Sequence, residues 1–148
     1  MIDKPIDSLI MSKRIRNFQA VFYRDTDGSV PVEDFISVLK PSRKRAVLRN
    51  QIGLLNKLNN AMPHLAFPHS SQIEGEFREL RCHYGRDLYR IIYRRSEQLI
   101  VLLHVIEKRT RQIPTQDKQL ARKRWADFKR RMDEHPRRPP RAAGPDAP

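Results

Sequence analysis

The feature that most constrains the fold is a run of three extended segments in the second half of the chain. FRELRCH begins at Phe77, LYRIIYRR begins at Leu88, and QLIVLLHVI begins at Gln98. The connections around Gly85 and around Glu97 are short, and short connections join antiparallel strands. The third segment is apolar on both faces, which is typical of a central strand. The sequence therefore predicts a small antiparallel sheet built from consecutive hairpins.

The part of the chain before these segments predicts one strand and two helices. Residues 17–23 place apolar side chains alternately on two faces, as a half-buried strand does. After Pro31, apolar residues recur at the i, i+3, i+4 and i+7 positions of one helical face, and Pro41 ends this helix. Ser42 can cap a second helix, which is amphipathic with a basic outer face. Residues 59–71 are predicted to form a loop.

A closing helix completes the predicted fold. It begins near Pro114, buries Trp125 and Phe128 on one apolar side, and ends at Pro136. The element order predicts an α+β domain, in which helices cover one face of the sheet and the other face is partly open. We expect a flexible leader at residues 1–15, a folded domain at residues 16–133 and a disordered tail, rich in Pro and Arg, at residues 134–148.

Charge and cysteine usage restrict the class of partner and the compartment. Thirty Lys and Arg residues against seventeen Asp and Glu residues give a formal net charge of +13, which favours a polyanion as the partner. No apolar run reaches the roughly 20 residues of a membrane-spanning helix, and no run near the N-terminus resembles a secretory signal, although Met11 is a second candidate start. Cys82 is the single cysteine. We therefore expect a cytoplasmic, nucleic-acid-binding protein.

Basic side chains on the predicted sheet suggest where the polyanion binds. Glu79 and Arg81 share one face of their strand, and Arg90 lies on one face of the next. Antiparallel pairing can bring Arg81 and Arg90 close to Lys108 and Arg109, which follow the third segment. Several arginines on one surface form a phosphate clamp, because the guanidinium group is a rigid fork of donors. We expect Arg81 and Arg90 to face the open side of the sheet.

Three motifs, taken together, carry a resemblance to a known family. They are E-L-R at residues 79–81, Y-R-I-I-Y at residues 89–93, and V-L-L-H-x-x-x-K-R-T at residues 101–110, followed by a helix rich in Arg and Lys. In their order and spacing they resemble the HigB-like, phage-derived toxins of the RelE/ParE superfamily. The similarity extends from about Phe18 to Met132. Residues 16–133 would then be a RelE-like toxin domain, with two N-terminal helices, a small antiparallel sheet and a C-terminal helix.

The resemblance also implies an activity and a partner. These proteins are toxins of type II toxin–antitoxin systems that cleave mRNA, often on the ribosome, without a metal or other cofactor. The implied protein partner is an antitoxin encoded nearby, usually a helix-turn-helix protein. By family position, Arg81 and Arg90 match basic residues that hold the scissile phosphate. Arg109, or Lys108 beside it, matches the basic residue that follows the last strand.

The general base is the open point in this interpretation. Glu79 stands where the best-known RelE pattern has a lysine, and it could instead simply pair with Arg81. Histidine side chains titrate near neutral pH, so His83 and His104 are further candidates. His64 and His69 lack metal-ligand spacing with any cysteine. Further residues are expected to bind RNA through their positive charge: Arg78, Arg94, Arg111, Arg122 and Lys123.

Three functions remain open at this point. The first is a metal-independent mRNA endoribonuclease that inhibits translation. The second is a non-catalytic module of the same fold that binds RNA or the ribosome. The third is an interaction protein whose basic face docks an acidic partner. Arg81, Arg90 and the Lys108–Arg109 pair favour the first, and the unassigned base keeps the second open.

Overall fold

The computed structural model describes residues 16–107 and 111–134, which build a five-stranded sheet between helices. In chain order the elements are β1 (Gln19–Phe22), α1 (Pro31–Ser37), α2 (Ser42–Leu55), β2 (Ser70–Glu74), β3 (Phe77–Tyr84), β4 (Asp87–Ser96), β5 (Leu99–Glu107) and α3 (Thr115–Glu134). The strands lie in the order β1-β5-β4-β3-β2. The α+β class and the arrangement of two N-terminal helices and one C-terminal helix are confirmed.

The two predicted hairpins are confirmed. Strands β3, β4 and β5 pair antiparallel in sequence order, and β5 lies inside the sheet between β4 and β1. Gly85 has a positive φ of 59° in the β3–β4 turn. Two-residue hairpin turns need such a conformation, which glycine adopts at little cost. Turn chemistry and apolar patterning therefore agree in this half of the chain.

Strand β2 was missed by the sequence prediction, which placed its first residues in a loop. It runs antiparallel to β3 along the edge of the sheet. Its sequence, SSQIE, is mostly polar, because an edge strand is held by main-chain hydrogen bonds to one neighbour and needs little apolar alternation. Ser70 is nevertheless buried, and its hydroxyl lies 2.8 Å from the Tyr93 hydroxyl.

Strand β1 makes the sheet mixed rather than wholly antiparallel. It pairs in parallel with β5, with Val21 opposite Val101. The connection between the two strands contains both N-terminal helices and the other three strands. An alternating apolar pattern indicates that a segment is a strand and which face is buried, but it does not indicate the direction of its neighbour.

Helices pack on both faces of the sheet. Helices α1 and α2 cover one face, where residues such as Ile36 and Leu48 are fully buried against the strands. Helix α3 covers part of the other face, where Phe128 is fully buried. We call these the α1–α2 face and the α3 face. The face that was predicted to be partly open is covered in part by α3, because the apolar side of this helix needs a surface to pack on.

Some predictions concern segments outside the described residues. These are the leader at residues 1–15, residues 108–110 with Lys108 and Arg109, and all of the predicted tail except Glu134, which ends α3. Within residues 16–107 and 111–134, no helix combines the length and the apolar character that crossing a membrane requires.

Candidate nucleic-acid interface

An ion-pair cluster on the α3 face joins three of the predicted site residues. Arg81 and Arg90 are direct partners in the β3–β4 register, and Glu79 lies two residues before Arg81 on the same face. Glu79 Oε1 is 3.0 Å from Arg81 Nη1 and 3.2 Å from Arg90 Nε. The antiparallel register thus produces the convergence that the sequence pattern suggested. One carboxylate faces two guanidinium groups, so the cluster keeps a net positive charge.

The members of this cluster differ in exposure. Arg90 is 4% exposed and Glu79 is 5% exposed, whereas the side chain of Arg81 keeps 16%. The expectation that Arg90 faces an open side of the sheet is therefore wrong, although its strand face was assigned correctly. Helix α3 and the segment before it, which includes the buried Ile113, pack on this face. Arg81 is consequently the member of the pair that a ligand reaches more easily.

A concave site of about 660 Å³ opens beside the cluster. Its cations come from three parts of the chain and are Arg81, Arg90, Arg111 and Lys118. Cations on a concave surface focus positive potential and attract phosphate. The predicted contribution of Arg111 to a basic site agrees with this position. Lys118, which the sequence suggested only as one member of a basic run, is brought here by the first turn of α3.

An exposed aromatic ring stands at the rim of the same concavity. Phe67 is 70% exposed, and the Arg81 guanidinium lies 5.3 Å from the centre of its ring. The neighbouring main chain is tied to β3, because Arg81 N donates a 2.8 Å hydrogen bond to His69 O. Sequence reasoning missed Phe67, since it lies in a predicted loop. The only signal was a large apolar residue in a segment that is otherwise rich in Pro and His.

His104 occupies a separate position beneath α3. A β-bulge opposite Ile92 adds one residue to β5, so the sequence neighbours Leu103 and His104 both face α3. His104 Nε2 is 2.7 Å from Asp117 Oδ1, and its Nδ1 is 3.2 Å from Arg124 Nη1. The neutral tautomer with the proton on Nε2 satisfies both contacts, because Nε2–H donates to Asp117 and Nδ1 accepts from Arg124.

The protonation of His104 follows from these surroundings. Burial lowers its pKa below the ordinary value of 6.5, the positive charge of Arg124 lowers it further, and the hydrogen bond with Asp117 acts in the opposite direction. His104 does not line the concavity beside Arg81. The structure therefore separates this candidate base from the other predicted site residues and gives it a role in holding α3 on the sheet.

The other predicted RNA-binding residues are dispersed. Arg122 forms a bidentate ion pair with Glu74, with distances of 2.8 and 3.0 Å. Arg94 lies over the Trp125 ring and contacts Glu76 at 2.7 Å. Two more do not line the concavity: Arg78 and Lys123. Only Arg111 of the five joins the concave site.

The described part of the chain gives little support for a metal site or for a cysteine nucleophile. No group of three or more His, Cys, Asp or Glu side chains is suitably placed for a metal ion within residues 16–107 and 111–134. Cys82 is fully buried on the α1–α2 face, and burial raises the pKa of its thiol to about 12. A neutral, inaccessible thiol is a poor nucleophile. The chemistry of this surface is therefore that of positioned cations.

Comparisons with known proteins place the chain in a family. No curated protein matches the sequence. A family model described as "Phage derived protein Gp49-like (DUF891)" matches residues 34–126. That range includes β2 to β5 and most of α3, and it contains Phe67, Glu79, Arg81, Arg90, Arg111 and Lys118. The chain therefore belongs to the Gp49-like family of phage-derived proteins, which is a RelE-like, toxin-like family.

Proposed function

We propose that this protein is a HigB-like toxin of a type II toxin–antitoxin system and that it acts as a metal-independent mRNA endoribonuclease. The observation that carries the proposal is the convergence of four cations with the Glu79 carboxylate and an exposed aromatic ring on one concave surface. Such a surface suits a single-stranded polyanion with bases, because guanidinium groups hold phosphates and aromatic rings stack on bases.

RNA supplies the nucleophile of the proposed reaction. The 2′-oxygen attacks the adjacent phosphorus while the bond from phosphorus to the 5′-oxygen breaks, which leaves a 2′,3′-cyclic phosphate and a free 5′-hydroxyl. The proton lost by the 2′-hydroxyl passes to a base, and the departing 5′-oxygen takes up a proton. Negative charge accumulates on the non-bridging oxygens, where fixed cations stabilise the transition state.

In our proposal the residues at this site have separate roles in binding and cleaving the RNA. Arg81, the more exposed guanidinium, contacts the scissile phosphate directly, and Glu79 orients it together with Arg90. Phe67 stacks on a base next to that phosphate, as aromatic side chains do in single-strand recognition. Lys108 and Arg109, which follow β5 in the sequence, are proposed to supply a further cation or to assist the proton transfers.

The proposal extends to the partner and the compartment. An antitoxin encoded nearby, of the helix-turn-helix type, would neutralise the toxin in the cytoplasm. Its simplest mode of action would be to cover the basic concavity, because the same surface would then be closed to RNA.

An in vitro cleavage assay tests the proposed activity. Purified protein is incubated with free mRNA in the presence of a chelator, and separately with mRNA on translating ribosomes in a magnesium-containing buffer, and the new ends are mapped. We expect cyclic-phosphate ends with wild-type protein and far fewer with Arg81→Ala. Absence of cleavage in both conditions, with the protein folded, would contradict the nuclease proposal.

A second candidate function is a non-catalytic RNA- or ribosome-binding module. One specific observation favours it: two of the three candidate bases, Glu79 and His104, are already engaged, and only His83 is exposed. Glu79 contacts two guanidinium groups, and His104 is held between Asp117 and Arg124. Salt-dependent binding of RNA or ribosomes without any cleavage would support this alternative.

A further inference from the structure

A second basic cleft lies on the α1–α2 face of the sheet, away from the Arg81–Arg90 cluster. It has a volume of about 400 Å³ and is lined by side chains from three parts of the chain, among them His64, Arg78 and Arg95. One carboxylate, Glu76, also lines it and is paired with Arg94. Arg78 comes from β3, Arg95 from the end of β4, and His64 from the connection between α2 and β2. Side chains so distant in sequence converge here only because β3 and β4 are neighbours and the connection folds back over them.

The two arginines of this cleft have neutral partners. Arg78 Nε donates to Ser70 Oγ at 3.3 Å, and Arg95 Nη1 donates to Asn60 Oδ1 at 2.9 Å. Neither forms an ion pair with a carboxylate of the described residues, in contrast to Arg94 with Glu76. A guanidinium group has five N–H donors, so each arginine keeps donors for a ligand.

His64 is the third basic side chain of the cleft, and its pKa reflects the positive charges around it. Burial lowers the pKa of His64, and the charges of Arg78 and Arg95 lower it further. The two guanidinium groups are thus close enough to disfavour a third positive charge. An anion placed between them would relieve this repulsion, and a phosphate oxygen can accept from both guanidinium groups.

The edge strand β2 joins this cleft to the first site. Gln72 of β2 lines both the cleft on the α1–α2 face and the concavity on the α3 face. No further strand lies beyond β2 in the sheet of the described residues, so the path over the edge is short. A flexible, single-stranded polyanion can bend over such an edge, whereas a rigid duplex cannot.

We propose that the cleft formed by His64, Arg78 and Arg95 is a second phosphodiester site, which binds the RNA strand that also occupies the Arg81–Arg90 site. The strand crosses the β2 edge at Gln72, and its phosphates contact cations on both faces. This inference rests on the proposed RNA-binding function and extends it, because it defines a longer footprint than the catalytic cluster alone.

Binding to non-cleavable RNA tests the second site independently of any cleavage. The full-length protein is titrated into fluorescent 2′-O-methyl RNA, which lacks the nucleophile, with lengths of about four and about twelve nucleotides. The variants are Arg78→Gln, Arg95→Gln and Arg95→Lys. The control is Arg43→Gln, which removes an equal charge from an exposed residue that lines neither site. Thermal melts verify that every variant is folded.

The expected result depends on the length of the RNA. Each glutamine variant should weaken binding of the longer RNA about tenfold, as the loss of a charge-assisted hydrogen bond does. Its log–log salt slope should become shallower by about 0.7 per lost contact. Binding of the short RNA at the Arg81 site should change little. Arg95→Lys should recover only part of the affinity, because lysine lacks the planar fork.

Several outcomes would overturn the inference. If Arg43→Gln weakens RNA binding to the same extent, the assay responds only to the net charge of the protein. Equal weakening of both RNA lengths would mean that the cleft is not a separate site. Unchanged affinity for the longer RNA in both glutamine variants would mean that the cleft does not bind the strand. If wild-type protein binds the longer RNA normally but cleaves no RNA, the nuclease proposal fails while this inference stands.

Discussion

Arg81 on β3 and Arg90 on β4 lie directly opposite each other in the antiparallel register, and a single carboxylate oxygen of Glu79 contacts both. Like charges directly opposed on neighbouring strands are destabilising. Glu79 compensates for this repulsion only in part, since one negative charge faces two positive ones. The phosphate that we propose to bind beside Arg81 would reduce this repulsion further.

The first prediction separates the role of Arg81 in activity from its role in the fold. Arg81→Ala should lower the cleavage rate by about 10²–10³, the effect of removing one well-placed donor from a transition state. The melting temperature should fall by only a few degrees, because Arg81 keeps solvent contact and Glu79 retains Arg90 as its partner. Mapped cleavage ends and a thermal melt check this. Undiminished cleavage by folded Arg81→Ala would contradict the assignment.

The second prediction concerns the fold rather than the chemistry. Arg90→Ala should lower the free energy of unfolding by about 1.5–3 kcal/mol, because it removes the buried guanidinium beside the buried Glu79 carboxylate, which keeps only the more exposed Arg81 as a partner. Chemical denaturation measures this difference directly. The double variant Glu79→Leu/Arg90→Met should recover much of the stability, since it replaces both buried charges by apolar groups of similar volume.

The same pair of variants also tests the cluster as a functional unit. The double variant should stay inactive although it is stable, because Arg81 loses the carboxylate that orients it. Full activity in the stable double variant would show that Glu79 and Arg90 are dispensable for cleavage. A small stability loss in Arg90→Ala would contradict the structural role derived from its burial.

The third prediction concerns the exposed ring at the rim of the concavity. Phe67→Ala should weaken binding of single-stranded RNA by about 1–3 kcal/mol, the contribution of one stacked base. Its stability should hardly change, because the ring is 70% exposed. Met62→Ala is the matched control, since Met62 is also an exposed apolar residue of the same connection but does not line the concavity. Similar losses in both variants would argue against stacking at Phe67.

The fourth prediction follows from the lowered pKa of His104. The unfolded chain binds a proton at this histidine with an ordinary pKa of about 6.5, whereas the folded protein resists protonation. Above about pH 6.5 the histidine is neutral in both states, and the stabilising effect of the lowered pKa is complete. As the pH falls from there toward the folded-state pKa, the unfolded chain gains a proton that the folded protein does not, so the folded protein loses stability. Protonation would place a hydrogen on Nδ1, facing the donor group of Arg124.

Thermal melts across this range check the prediction. The melting temperature of wild-type protein should fall between about pH 7.5 and about pH 5. His104→Gln should be less stable at neutral pH, but the loss on acidification should be smaller, because the group that titrates is gone. Parallel curves for the two proteins would contradict the assignment. The His64→Gln variant measures how much of the pH dependence comes from a second histidine whose pKa is also lowered.

Much of the fold could be predicted from local patterns. Apolar periodicity identified the three helices, and short connections identified the hairpins β3–β4 and β4–β5. Strand β2 was not predicted, because a polar edge strand is defined by its partner rather than by its own side chains. The parallel direction of β1 was not predicted either, because it depends on how the whole intervening chain folds back.

The sequence by itself determined which side chains share a face. The alternation of strand residues places Glu79 and Arg81 on the same side, and a two-residue turn brings Arg90 opposite Arg81. Only the tertiary structure decided how exposed these side chains are and which other residues they contact. Arg90 is buried on the face where α3 packs, a β-bulge turns His104 toward Asp117, and the connection before β2 brings Phe67 to Arg81. These outcomes depend on contacts between segments far apart in the chain, and such contacts leave no local periodicity in the sequence.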